Sequence, residues 1–153
     1  MAITAGSRVF IDTNILIYAN LALSPFHDKA VASLREFEGI GLDLYISRQV
    51  LREYLAVMTR PGTLTQNIPI SSLIQDVQGF EAGLTVFDDG PAVTARLLGI
   101  IEQYSVAGKQ IHDANIVATM LVHDIPVLLT HNIADFKRYE EIITVLPLVR
   151  LSE

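Results

Sequence analysis

The apolar and polar positions divide the chain into short apolar runs of β-forming residues and longer stretches with helical period. Val9-Phe10-Ile11 is one such run; it ends on Asp12, and Thr13-Asn14 turns the chain into a second run, Ile15-Leu16-Ile17. This predicts a strand near Arg8 to Asp12 and a short helix near Asn14 to Asn20. Ser24-Pro25 is expected to open a second helix through about Glu38, with Ala30, Leu34 and Phe37 on one face and Gly39 and Gly41 ending it. Leu44-Tyr45-Ile46 reads as a strand, Ser47 as the N-cap of a helix to Arg60, and Pro61-Gly62 as its stop. Thr63 to Pro69 is expected to be the loosest segment. Helices are then predicted from Ser71 to Ala82, from Gly90-Pro91 to Tyr104 and from Ile111 to His123, with a strand at Leu84 to Phe87. A buried strand at Pro126 to Thr130, a short helix at Asp135 to Glu141 and an edge strand at Ile143 to Leu146 complete the pattern. Strands alternating with helices argue an α/β fold with a largely parallel, helix-covered sheet.

The length of 153 residues suits one domain spanning residues 1–153. Half the residues are hydrophobic and 18% are charged, which marks a folded chain and not a disordered one. Eleven basic against 17 acidic residues give a net charge of −6, so nucleic-acid binding would need a local basic patch or metal ions. The absence of cysteine excludes disulfides, thiolate zinc sites and cysteine nucleophiles, and is compatible with the cytoplasm. Met1 to Arg8 lacks the apolar core of a signal peptide, and His123-Asp124 and Pro126 interrupt the richest apolar region, so no membrane span is expected.

Four acids stand where simple patterning would not put them. Asp12 follows a buried strand, at the edge where open α/β sheets hold ligands; the plain alternative is a helix N-cap. On the helix from Ile111, Asp113 falls within the arc of Ile116, Val117, Met120 and Leu121, with Asn115, Thr119 and Val122 opposite. An unpaired carboxylate there costs several kcal/mol, although a first-turn acid also favours the helix dipole. Glu53 lies at the rim of the arc formed by Val50, Leu51, Tyr54, Leu55, Val57 and Met58, on a stripe with Gln49, Ala56 and Arg60; singly it reads as a solvated helix acid. Asp135 follows the strand ending at Thr130 by one turn, and alone it reads as the cap of the next helix. Two bare carboxylates about 5 Å apart repel by roughly 3 kcal/mol at an effective dielectric near 20. If these acids converge, within reach of one ion at the carboxyl edge of the sheet, they need cations. Oxygen-only sites suit Mg²⁺ or Mn²⁺, which activate water for phosphodiester displacement.

Asp12-Thr13-Asn14, Arg52-Glu53, His112-Asp113-Ala114 and the stretch from Thr130 to Phe136 resemble the ordered acidic motifs of PIN-domain ribonucleases. Leu51-Arg52-Glu53-Tyr54-Leu55 to Arg60-Pro61 is similar in particular to toxins of VapC-type toxin–antitoxin pairs. The resemblance covers essentially the whole chain. It implies a Rossmann-like α/β/α sandwich with a mainly parallel central sheet. It implies also an endoribonuclease that uses Mg²⁺ or Mn²⁺, with RNA as substrate, a small antitoxin as partner, a homodimer and a cytoplasmic setting. Asp12, Glu53 and Asp113 match the three core acids. Many members carry a fourth acid where this chain has Asn132, and Asp135 matches a second frequent acid position, so Asp135 is expected as the fourth carboxylate. Thr13, Asn14, Thr130 and Asn132 are candidates to orient the acids. The apolar surface for an antitoxin is expected near Ile15 to Tyr18 and Val31 to Phe37.

Arg48, Arg52, Arg60 and Lys109 flank the acids and are candidate RNA-phosphate contacts, or ordinary surface charge. His27, His112, His123 and His131 form no two-histidine metalloprotease motif, and Gly39-Ile40-Gly41 is no phosphate-cradling loop. Two other readings compete. A phosphohydrolase with an Asp12 nucleophile would normally carry a second Asp at position 14, which here is Asn. The other is not an enzyme: a binding module whose acids hold a structural ion, or a degenerate nuclease that only binds its partner, which the Asn132 departure would suit.

Overall fold

The computed structural model describes residues 3–62, 64–65 and 67–148. Five strands, β1 (Arg8–Ile11), β2 (Asp43–Ser47), β3 (Thr85–Phe87), β4 (Val127–Leu129) and β5 (Thr144–Leu146), form one parallel sheet in the order β3-β2-β1-β4-β5. The apolar runs explain the order: Val9, Phe10 and Ile11 of β1 and all of β4 are fully buried, as inner strands of a helix-covered parallel sheet require. Successive strands move outward from β1 to β3, then the chain returns to lay β4 on the other side of β1. The sheet therefore has its topological switch point between the carboxyl ends of β1 and β4, with Ile11 level with Leu129.

Seven α-helices occur among the described residues: α1 (Thr13–Ala19), α2 (His27–Gly39), α3 (Arg48–Met58), α4 (Ile70–Gly83), α5 (Pro91–Tyr104), α6 (Gln110–Val122) and α7 (Ile133–Phe136). Helix α1 packs on α2 and α3, α3 touches α4, and α5 packs along α6. Pro91 suits the first turn of α5, where its missing N–H has no intrahelical partner. Gly41, at φ +76°, makes the left-handed turn from α2 into β2. No helix among the described residues is long and apolar enough to cross a membrane.

The architecture is the expected one, and the differences are local. Helix α2 begins at His27, not at Ser24, because the Ser24 hydroxyl accepts from Phe26 N (3.1 Å) and its carbonyl from His27 N (3.1 Å), closing a separate turn first. The helix expected over Asp135 to Glu141 is instead α7 followed by a 3-10 turn, Lys137–Tyr139. Phe136 and Tyr139, three apart, are both buried, a spacing that suits the tighter coil. Ser47 is the N-cap residue of α3, yet its buried hydroxyl makes no hydrogen bond. Thr119, expected opposite the apolar arc, is buried, and its hydroxyl donates to Asn115 O (2.9 Å). Ile15, Leu16, Ile17 and Phe37 belong to the core, so they do not form the exposed patch expected of the early helices. Of the segment from Thr63 to Pro69, Thr63 and Gln66 lie outside the described residues.

Candidate active site

Asp12 directly follows β1 and caps α1, and these two local roles fix its side chain. Its Oδ1 accepts from Thr13 N (2.8 Å), and its Oδ2 from Thr130 Oγ1 (2.7 Å) and Asn14 Nδ2 (3.1 Å). Asp12 N donates to Leu129 O (3.0 Å), so the acid is pinned at the β1–β4 switch point. Asn14 extends the same network: its Nδ2 also reaches Thr130 Oγ1 (3.3 Å), and its Oδ1 accepts from His131 N (3.1 Å). Asn132 N donates to Thr130 Oγ1 (3.0 Å). Three of the four residues expected to orient the acids, Asn14, Thr130 and Asn132, thus meet in one cluster around Asp12. Thr13 joins it through its backbone; its buried hydroxyl faces Glu53 and favours the charged form of that carboxylate.

Burial pushes the Asp12 carboxyl up to about 6, against the hydrogen bonds from Thr130, Thr13 and Asn14, and the charge of Glu53 adds to the rise. Glu53, half-buried on α3, is raised by burial, while the Gln49 amide, His112 and Arg52 favour its charged form. Asp113, half-buried in the first turn of α6, is pushed up to about 7 by burial, then by the charges of Asp12, Asp135 and Glu53. Arg138 opposes that rise. Asp113 therefore feels all three other acids, and the fold gathers the four at one edge. Asp135 is exposed, the third residue of α7, while Asn132 holds the N-cap position. Among the described residues, no three acid or histidine side chains close around one point as a metal shell would. The expected approach to within reach of a single ion is thus not met among the described residues.

The donor chemistry fits a hard divalent cation. It is all oxygen and partly buried; the charges of Asp12, Asp135 and Glu53 raise Asp113, and that of Glu53 raises Asp12, with Arg138 acting against the rise at Asp113. The flanking cations are less free than the sequence suggests. Arg48 pairs with Glu81 of α4 and with Asp88 (3.3 Å), and Arg52 with Asp89 (3.7 Å). Arg60 and Lys109 are exposed, and neither pairs with an acid among the described residues. Sequence reasoning missed three participants. Gln49 was visible only as Glu53's neighbour one turn back, Asn115 looked like the polar side of α6, and Arg138 carried no signal.

Residues 9–142 match the profile of the PIN domain. Ribonuclease VapC48 of Mycobacterium tuberculosis is 30% identical over 137 residues, covering 86% of this chain and 91% of that protein. Ribonuclease VapC24 of the same organism is 27% identical over 128 residues, covering 82% and 87%. Among solved structures, VapBC2 from Rickettsia felis bound to a promoter DNA fragment superposes with a TM-score of 0.67 at 20% identity, covering 93% of this chain and 99% of that one. VapC20 of Mycobacterium tuberculosis, described as a sarcin-ricin loop cleaving toxin, superposes at 0.60 and 15% identity, covering 78% and 86%. With its profile matched over residues 9–142, a span that includes Asp12, Glu53, Asp113 and Asp135, the chain belongs to the PIN-domain family.

Proposed function

We propose that the protein is a divalent-metal-dependent endoribonuclease, the toxin of a toxin–antitoxin pair. The observation that carries this is the coupling of Asp113 to Asp12, Glu53 and Asp135 at the switch point of a parallel sheet. The ribonuclease names of the relatives, and the toxin–antitoxin complexes among the structural neighbours, agree with it. Asp12, Glu53, Asp113 and Asp135 would hold Mg²⁺ or Mn²⁺. When bound, such an ion supplies Lewis-acid activation of water and neutralises charge at the scissile phosphate. The chain's own contribution is a locked Asp12, oriented by Thr130, Asn14 and the Thr13 amide, and a half-buried setting that sharpens electrostatic contacts. Arg60 and Lys109 are the cations open to RNA phosphates, whereas Arg48 and Arg52 would first release their acids. A small protein antitoxin, a homodimeric state and a cytoplasmic location belong to the same reading.

The test is incubation of the pure protein with mixed structured RNAs in Mg²⁺, in Mn²⁺ and in chelator, beside Asp12→Asn. Cleavage is expected with metal only and not with the variant. Cleavage that survives the chelator excludes the metal mechanism, and no cleavage under any condition points to a binding module.

A further inference from the structure

We propose that Gln49 is a positioning residue: its amide ties the Glu53 carboxylate to the backbone beside Asp113 and so sets the spacing of two acids that stand on different helices. The inference rests on the metal-dependent reading above. Gln49 sits in the first turn of α3 and is 5% exposed. Its Nε2 donates to Glu53 Oε1 (2.7 Å), one turn along α3, and to the carbonyl of His112 (2.7 Å), the residue immediately before Asp113 on α6. Its Oε1 accepts from Asn115 Nδ2 (2.7 Å), two residues beyond Asp113. The network fixes the amide orientation. Turned over, Gln49 would face oxygen to a carboxylate and a carbonyl, and its NH₂ to another NH₂.

An exposed pair of this spacing on one helix is worth only a few tenths of a kcal/mol and would need no such arrangement. A buried amide is costly unless its hydrogen bonds are made, and here both donors and the acceptor are used. Two of those partners are on α6, on either side of Asp113, and the third is the candidate ligand itself. Asn115 continues outward, its Nδ2 also lying 3.4 Å from Asp89 Oδ2, the acid that pairs with Arg52. Partners of this kind, one step behind a metal ligand, typically carry 10–100-fold in metal affinity or activity.

The experiment compares wild type with Gln49→Met, which keeps the length of the side chain and removes its polar atoms. Mn²⁺ binding is followed by loss of the free-ion EPR signal, alongside kcat and KM for RNA cleavage and melting in chelator. Mn²⁺ affinity and kcat are expected to fall by about 10–100-fold with KM unchanged. Unchanged Mn²⁺ affinity and kcat with a lower melting temperature would overturn the proposal, since that is the signature of a packing role. In that outcome a wild type that binds Mn²⁺ and cleaves RNA leaves the functional reading intact. A wild type that does neither overturns the functional reading and the role of Gln49 with it. If Gln49→Met does not fold, Asn115→Leu takes its place: it removes the donor to Gln49 Oε1, and its Mn²⁺ affinity must fall in the same direction for the proposal to stand.

Discussion

Asp113 is a carboxyl whose burial and three acidic neighbours all oppose its charge, and Asp12 shares part of that burden. In the unfolded chain both titrate near 4; in the fold they titrate at about 7 and about 6. Between those limits the native chain holds protons that the unfolded chain has released. The metal-free protein therefore loses stability as pH rises from about 4 to about 7. Melting in chelator is expected at a higher temperature at pH 5 than at pH 8, with Mn²⁺ reducing the difference. Asp113→Asn should raise the pH 8 melting temperature in chelator by about 2–4 °C, if roughly 1 kcal/mol of repulsion is relieved, while abolishing cleavage. Asp12→Asn should give no such gain. Its carboxylate serves three donors, and an amide would turn its NH₂ toward one of them. A pH-independent melting temperature would remove the repulsion argument. At the fourth position Asp135 brings charge to Asp113 and Asn132 brings none. Asp135→Asn is expected to raise the Mg²⁺ needed for half-maximal cleavage about tenfold, and Asn132→Ala to raise it less. An unchanged titration for Asp135→Asn would make that residue a first-turn helix acid and leave a three-acid centre.

The elements matter through where they end. Strands β1 and β4 are adjacent and level, so the residues that follow them, Asp12 and Thr130, meet across the switch point. Thr130 is fully buried, donates to Asp12 and accepts from Asn132 N, and so joins the end of β1 to the turn that leads into α7. Thr130→Val keeps the shape and removes these two bonds together with the longer one from Asn14 Nδ2 (3.3 Å). It is expected to cost about 1–3 kcal/mol in denaturant unfolding, because Asp12 and Asn132 N lose buried partners. RNA cleavage should fall by about 10–100-fold. A variant as active as wild type would mean that Asp12 is positioned sufficiently by its capping bond to Thr13. Phe136 and Tyr139 hold the segment after β4 against the core, which carries Asp135 to the rim and Arg138 into range of Asp113.

At the scale of the molecule, an acidic chain of net charge −6 gathers acids at one sheet edge and pairs two of its nearby arginines with further acids. RNA binding is then expected to depend on divalent ions more than on the overall field. For the toxin reading, expression of the chain alone should arrest growth, Asp113→Asn should relieve the arrest, and light scattering should show a dimer. A harmless wild type that runs as a monomer would remove the toxin assignment, while the RNA assay would still decide the nuclease. Because Ile15 to Ile17 and Phe37 are spent on the core, the expected apolar contact for an antitoxin does not come from them.

The order of strands and helices was legible because apolar period and turn chemistry are local properties: Asp12 after Val9-Phe10-Ile11, Pro91 at a helix start, Gly41 past a helix end. The odd placement of Asp12 and Asp113 was legible for the same reason; Glu53 and Asp135 stood out less, each reading singly as an ordinary helix acid or cap, and the family resemblance matched them to acid positions. Where a local rule met a tertiary partner, the sequence alone misled. Thr119 was expected opposite the apolar arc of α6 yet is buried, and Ile15 to Ile17 looked available although α2 and α3 pack on α1. Ser24 had the right chemistry for a helix start, but its two hydrogen bonds close a turn before α2 begins. The bonds that build the site join residues far apart in the chain: Thr130 to Asp12 spans 118 positions and Gln49 to His112 spans 63. No periodicity encodes such pairs. The sequence determined which residues end each strand and line each helix, and only the packing of α3 and α6 around the β1–β4 switch point decided which of them meet.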